Sequence, residues 1–401
     1  MTDSSMTTEN PIPAETSTGN QAAADLLIVA ASMPPEQFDA LLNNVAIAFS
    51  VENVVVAAPN EFTANGPTNL RIVSTAQSTA AWTLKPADFV NARQAGHEHQ
   101  ARAILMLGQG ADSLNPGALR SMADAVLTGA ADLVVPHYTL PPHAGLINSA
   151  ILYPLTRALF GTRTRFPLAI DLGLSLRMAE RLAVAGQRFT APNQDDALLW
   201  PVNEATVTGF AIDEVDVGPR QVPQPSDPDI NAILALVTGS LFADIETKAT
   251  FWQRPRRVPP MRRPLSDANA TDGTGDVARM VEAFRLANAN LQEVWSLVLP
   301  PNTLVSLKRF SVLDASVFRM PENLWARIVF DFVIAYRLRT INRGHLLGAL
   351  IPLYLAWVAG HLNVTASGTA SERHIEAVAA AFEADKPYLV ARWRWPDRFN
   401  S

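Results

Sequence analysis

Asp25-Leu26-Leu27-Ile28-Val29-Ala30 is where order begins and where the fold is decided. A short apolar run ending in β-branched residues suits a strand buried on both faces. Pro34 and Pro35 then open a helix whose apolar positions Phe38, Leu41, Leu42, Val45, Ala46 and Phe49 recur every three or four residues. A second strand, Val54-Val55-Val56-Ala57, follows at once. Further apolar runs come at Leu70–Val73, Ile104–Leu107 and Leu133–Pro136, with helical periods near Asp88–Arg102 and Gly117–Leu127. This alternation predicts an α/β, Rossmann-like unit: a mostly parallel sheet with helices on both faces. Ligands of such sheets bind at the carboxyl ends of the strands, here the loops after Ala30, Ala57, Val73, Leu107 and Pro136.

On either side of that unit the character changes. Residues 1–22 lack any hydrophobic period and read as a disordered tail, with no basic region ahead of an apolar stretch. A soluble, cytoplasmic protein is the expectation. Asn231–Trp252 reads as one long amphipathic helix, followed by the Pro/Arg-rich run Arg254–Pro264 and a Gly/Ser/Thr/Asp linker, Ser266–Asp276. From Val277 onward the chain reads helical, with periods at Met280–Leu299, Leu324–Leu338 and Ile375–Glu383. The expected organisation is therefore an α/β domain over 23–225, a long helix and basic segment over 226–264, a linker over 265–276, and an all-helical C-terminal domain over 277–401. His345–His361 is nearly uncharged but carries Pro352 and two glycines, and reads as a buried bundle helix rather than a membrane span.

Composition excludes several classes. Of 401 residues, 48% are apolar and 17% charged, so the chain is not wholly disordered. A net charge of −6 argues against a nucleic-acid partner, whose binders are basic. With no cysteine, disulfide frameworks, thiolate metal sites and cysteine nucleophiles are absent. There is no P-loop, no G-x-G-x-x-G and no complete nucleophile elbow; Gly173-Leu174-Ser175-Leu176-Arg177 has only the first half of one. The phosphate loop a nucleotidyltransferase would need is replaced by Ala31-Ser32-Met33-Pro34-Pro35. His97-Glu98-His99 spreads its imidazoles over opposite sides of a helix and reads as a solvated face. His137 and His143 bracket a strand-end loop without metal spacing, and Arg392-Trp393-Arg394-Trp395 reads as a tail packed on the helical domain.

Two carboxylates remain informative. Asp112, in Gly108-Gln109-Gly110-Ala111-Asp112-Ser113, sits where a divalent cation and a diphosphate could be held, although an Asx turn explains it equally well. Asp171, in Leu168-Ala169-Ile170-Asp171-Leu172-Gly173, is either a helix cap or a half-buried base.

The block Asn148-Ser149-Ala150-Ile151-Leu152-Tyr153-Pro154-Leu155-Thr156-Arg157-Ala158-Leu159-Phe160-Gly161, followed by Arg165-Phe166-Pro167-Leu168-Ala169-Ile170-Asp171-Leu172-Gly173-Leu174-Ser175, resembles one in bacterial GT-A glycosyltransferases. The group concerned includes glucosyl-3-phosphoglycerate and mannosylglycerate synthases. Phe330–Tyr336, Ile341-Asn342-Arg343 and Leu350–Leu355 are similar to it as well. The resemblance implies sugar transfer from a nucleotide diphosphate donor to an acceptor, with a D-x-D motif and Mg²⁺ or Mn²⁺ holding the diphosphate against its developing charge. It places Asp112, Ser113 and Ala57 at the nucleotide-sugar, Asp112 as the surviving metal ligand and Asp171 as a catalytic carboxylate. Asp196, beside Asp195 in the Asn193–Asp196 loop, is expected as a second catalytic carboxylate, and Arg165 at the nucleotide-sugar from its position beside the block.

The departures from the family pattern are specific. Gly110-Ala111-Asp112 stands where the family has D-A-D, and Ala57-Ala58-Pro59-Asn60-Glu61 replaces its nucleotide loop. Glu214–Val222 lacks the histidine of its metal segment, and Ala169-Ile170 replaces a glycine pair. Losing two of three ligands should cripple a conventional metal site. The sequence thus predicts a divergent glycosyltransferase working without that site, aided by Arg163 or Arg165, or alternatively a catalytically inactive protein of the same fold. Association with further copies of itself stays open.

Overall fold

The computed structural model describes residues 23–59, 70–78, 80, 82–141, 143–189, 197–222, 230–255, 258–260 and 276–395. The expected tail over 1–22 and the linker over 265–276, Asp276 apart, lie outside them, as does Asp196.

Seven strands form one sheet: β1 (Leu26–Val29), β2 (Val54–Pro59), β3 (Arg71–Thr75), β4 (Ala103–Met106), β5 (Leu133–Thr139), β6 (Leu172–Ser175) and β7 (Ile212–Pro219). Their order is β3-β2-β1-β4-β6-β5-β7. Every pairing is parallel except those of β6, which runs antiparallel to β4 and β5. The chain steps outward from β1 to β3 and then jumps back to β4 on the other side of β1. Right-handed crossovers in opposite directions put their helices on opposite faces, and in open α/β sheets ligands bind at such a reversal, here the carboxyl ends of β1 and β4.

Helices α1 (Pro35–Ala48), α2 (Pro86–Glu98), α3 (Pro116–Leu127), α4 (Tyr153–Phe160), α5 (Leu176–Gln187) and α6 (Pro201–Thr208) accompany the sheet. The predicted pattern of α1 is observed, with Phe38, Leu41, Leu42 and Val45 buried. Asn115 caps α3 by accepting from the Ala118 amide at 2.9 Å, and Ser175 caps α5 by accepting from the Met178 amide at 3.2 Å. Neither Asp112 nor Asp171 is therefore a helix cap. Asp171 instead leads into β6, a strand the apolar periods did not reveal.

The remaining helices are α7 (Ile230–Thr247), α8 (Ala249–Trp252), α9 (Val277–Asn290), α10 (Gln292–Val298), α11 (Pro301–Phe310), α12 (Glu322–Leu338), α13 (Arg343–Ala366) and α14 (Ser371–Arg394). The single helix expected over Asn231–Trp252 breaks at Lys248, whose ammonium binds Glu204 of α6 at 2.6 Å and also reaches Asp244. The period over Met280–Leu299 is likewise two helices, broken at Leu291. α13 is long and apolar enough to cross a membrane by length and composition, but Leu350, Leu353, Trp357 and Ala359 are enclosed among the other helices. Trp393 of the tail motif packs edge-on against Trp252, their ring centres 4.9 Å apart.

Residues 148–160 leave the sheet to join the helical core. Asn148–Leu152 is a π-helical turn, and the Trp325 indole of α12 donates to its Ala150 carbonyl at 2.8 Å. Arg157 of α4, buried, forks onto Glu383 of α14 at 2.8 and 3.0 Å and reaches Glu376 at 2.6 Å. Side chains rather than a linker couple the two parts here.

Candidate functional site at the carboxyl edge of β1 and β4

The loop after β4 is held from three sides. Gly110, at φ +81°, donates its amide to the Gln37 side-chain oxygen of α1 at 2.9 Å. Asn44, further along the same helix, donates to the Asp112 and Leu114 carbonyls, each at 3.1 Å. Ser113 donates its hydroxyl to the Gly110 carbonyl at 2.6 Å and so stiffens its own turn. Asp112 is half-buried, and its Oδ1 is enclosed with no hydrogen-bond partner.

The third side is a buried ion pair. Because β6 is antiparallel, with Met106 opposite Leu172, its entry residue Asp171 arrives at the carboxyl edge beside Gly108. Asp171 is wholly enclosed and accepts four hydrogen bonds: from the Gly108 amide at 2.9 Å, the Tyr138 hydroxyl at 2.9 Å, and Arg220 Nε and Nη2 at 2.9 and 3.1 Å. Arg220 also donates to the Gln221, Gln109 and Gly108 carbonyls at 2.6, 3.0 and 3.4 Å. Its guanidinium ties the end of β7 to the loop after β4.

A bulge sets this up. Along the β5–β7 ladder His137 faces Asp216 but Tyr138 faces Gly218, so Val217 is an extra residue. Gly218 takes φ +71°, a conformation that glycine adopts without steric cost. Such a kink re-aims the residues beyond it, here Arg220. Burial pulls the Arg220 pKa down, but the adjacent Asp171 charge outweighs it and the net shift is upward. Burial, with the Asp171 charge beside it, pushes the Tyr138 hydroxyl far above its ordinary range. Tyr138 therefore stays a donor.

Several expectations change against this geometry. Asp171 has neither solvent access nor a free acceptor site, so it holds the loop and does not face a substrate. Ile170 packs over the loop: a Cβ added at Gly108 would come within 2.8 Å of its Cδ1. Ala57 is enclosed in the ladder, and its carbonyl accepts from the Ala30 amide at 2.9 Å. It presents nothing to a nucleotide. Arg163 and Arg165, expected as stand-in cations, are engaged by α14: Arg163 binds Glu376 at 3.1 Å, and Arg165 binds Glu372 at 3.0 Å and Ser149 at 3.0 Å. Arg165 thus lies between α14 and the Phe166 ring, 4.9 Å from its centre. Of the site residues expected from the sequence that are among the described residues, Asp112 and Ser113 lie in the loop and Asp171 braces it.

The metal implied by the resemblance does not fit these residues. Position 110 is a glycine whose Cβ would fall 2.6 Å from Arg220 Nη1 and 2.6 Å from the Gln221 carbonyl, so an aspartate there would have to displace the Gln221 backbone. Among the described residues no group of three His, Cys, Asp or Glu side chains could hold a metal ion.

No family model matches the chain, and no curated protein matches it. Among solved structures, the glucosyl-3-phosphoglycerate synthase of Mycobacterium tuberculosis bound to Mn²⁺, UDP-glucose and phosphoglyceric acid is similar at 13% identity. The match covers 55% of this chain and 78% of that one, with a TM-score of 0.35. A mycobacterial protein is similar at 14% identity over 63% of this chain and 81% of its own, with a TM-score of 0.36. These likenesses assign neither ligand nor reaction to this chain.

Proposed function

We propose that the chain is a divergent glycosyltransferase that takes a nucleotide diphosphate-sugar in the crevice at the carboxyl ends of β1 and β4, without a divalent cation. The observation that carries this reading is Asp112. Its Oδ1 is buried and unpartnered at the switch-point crevice, on a loop otherwise fully braced. The residue itself is half-buried, so its other carboxylate oxygen is the one a ribose or sugar hydroxyl can reach, and a donor drawn there relieves the unpaired carboxylate. The resemblance over residues 148–175 supports the same class of ligand. In this reading residues 23–225 form the donor-binding unit, the helical part covers the acceptor side, and Asp196 is the carboxylate offered to the acceptor hydroxyl.

A second reading, binding without transfer, is favoured by one observation: Asp171, Arg163 and Arg165 are all engaged by protein partners. The experiment is thermal shift and calorimetry with UDP-, GDP- and ADP-glucose in EDTA, on wild type, Asp112→Asn and Asp196→Asn, followed by a donor-hydrolysis and transfer assay. Ligand at a hundred times its Kd adds about 2.7 kcal/mol to stability, a readable shift. Binding that weakens at least tenfold in Asp112→Asn, with turnover, supports transfer. The same binding with no turnover selects the second reading. No binding by folded wild-type protein overturns both.

A further inference from the structure

Three segments far apart in sequence meet at Arg220: the loop after β4, the entry to β6 and the exit from β7. The side chain has no exposure at all, nor has that of its partner Asp171. A guanidinium so enclosed, donating to one carboxylate and to the Gly108, Gln109 and Gln221 carbonyls, does more than brace a turn. Carboxylates and carbonyl oxygens are the ligand set a hard divalent cation seeks. Here they are already oriented around a fixed monovalent cation that cannot dissociate.

Two further observations point the same way. Asp112, the one carboxylate left on the loop, lies within electrostatic reach of Arg220. Gly110, where a second loop carboxylate would be needed, is closed by Arg220 itself and by the Gln221 carbonyl, each 2.6 Å from an added Cβ. The left-handed φ of +81° at Gly110 adds a backbone penalty to any side chain there. The chain therefore does not merely lack ligands; its own side chain fills the coordination space.

We infer that Arg220 is the resident cation of the carboxyl-edge crevice: a positioning residue that takes up the oxygens a divalent metal would use and so makes the site indifferent to Mg²⁺ and Mn²⁺. This deepens the reading under Proposed function by specifying how that site is charged, yet it concerns the empty crevice and is tested without nucleotide. Fixed charge has a consequence for the loop as well. The Gly108–Gly110 backbone is ordered before any ligand arrives, whereas a metal-dependent site would await its ion.

The test is Mn²⁺ binding, read as loss of the free-ion electron paramagnetic resonance signal and by calorimetry, on the whole chain. Wild type and Asp112→Asn should leave Mn²⁺ equally free up to millimolar concentration. Arg220→Gln, checked for folding by circular dichroism, removes the charge while keeping hydrogen-bonding capacity. It should gain a Mn²⁺ site at least tenfold tighter than any wild-type binding, lost again in Arg220→Gln/Asp112→Asn. Arg220→Lys, which keeps a cation, should gain none. A stoichiometric wild-type site abolished by Asp112→Asn overturns the inference, and so does a folded Arg220→Gln protein with no gain. Should Arg220→Gln fail to fold, Arg220→Ser is measured in its place, with the same gain expected and the same lack of gain overturning the inference. Failure of nucleotide-sugar binding would leave all these results standing, so the two readings fall separately.

Discussion

Replacing Asp171 by asparagine separates a positioning carboxylate from a reacting one. The change is nearly isosteric, so what it alters is charge and hydrogen-bond polarity. Asp171 accepts from four donors: Gly108 N, Tyr138 Oη, and Arg220 Nε and Nη2. An asparagine presents one acceptor oxygen and one amino group, so in place of Oδ1 the amino group faces the Gly108 amide and Arg220 Nη2, and in place of Oδ2 it faces Arg220 Nε while the Tyr138 hydroxyl can turn to accept. Arg220 meanwhile keeps its charge in a fully enclosed site. Breaking a buried ion pair by removing one partner costs about 3–5 kcal/mol, chiefly through the charge left behind. For an α/β unit of this size each kcal/mol moves Tm by about 2–4 °C, so Asp171→Asn should melt roughly 6–20 °C lower. Arg220→Met should be comparably damaging. Asp171→Leu/Arg220→Met, which strands no charge, should lose far less than the sum of its single changes. Differential scanning calorimetry on wild type, the singly substituted proteins and the double variant closes the cycle. An Asp171→Asn protein with unchanged Tm would refute the reasoning, and with donor turnover abolished as well it would return Asp171 to the role of catalytic base.

Other expectations concern the helical part and its junction with the sheet. Trp325→Phe removes the indole donor to the Ala150 carbonyl in the π-helical turn and should cost about 1–3 kcal/mol by urea unfolding; an unchanged midpoint would show that the carbonyl finds another partner. Arg157→Met strands Glu383 and leaves Glu376 to Arg163 and Tyr153, and it should raise amide hydrogen exchange along α14 at least tenfold, while unaltered protection would mean the Arg157 ion pairs do not hold that junction. Burial, opposed by Arg392 and Tyr388, raises the Asp331 carboxyl to about 7, so its proton favours the folded state and stability falls as pH rises from about 4 to 7. Burial, opposed by Glu322 and reinforced by Arg319, lowers His374, which bonds the His361 ring at 2.7 Å; its contribution is present above its ordinary pKa of 6.5 and is lost as pH falls below it. The two slopes oppose each other. Asp331→Asn should therefore leave stability rising with pH between 5 and 7 and His374→Gln should leave it falling, and identical pH profiles for the two variants would sink the assignment.

What the sequence disclosed and what it hid divide along one physical line. Strands β1, β2, β4 and β5 are largely buried and spell themselves as apolar runs. The stripe of α1 is a local signal of the same kind, whereas the caps of α3 and α5 are Asn115 and Ser175, not the Asp171 that the sequence offered. β6 is four residues long with a glycine inside it, because a Cβ at Gly173 would stand 3.0 Å from Val126 Cγ2 and 3.0 Å from Val134 Cβ. Close packing by its neighbours, not propensity, makes that segment a strand. The site behaves in the same way. Asp112 was legible from the rule that ligands gather at strand ends. Arg220 was not, since its meeting with Asp171 depends on β6 running backwards and on a one-residue bulge in β7, neither of which leaves a periodic trace. The remaining hint was an arginine directly after Gly218-Pro219 at a strand exit, where a kinked backbone has to aim whatever comes next. A charge that far from the loop in sequence reaches it only through the sheet, by way of the Asp171 pairing and the Gly108 and Gln109 carbonyls.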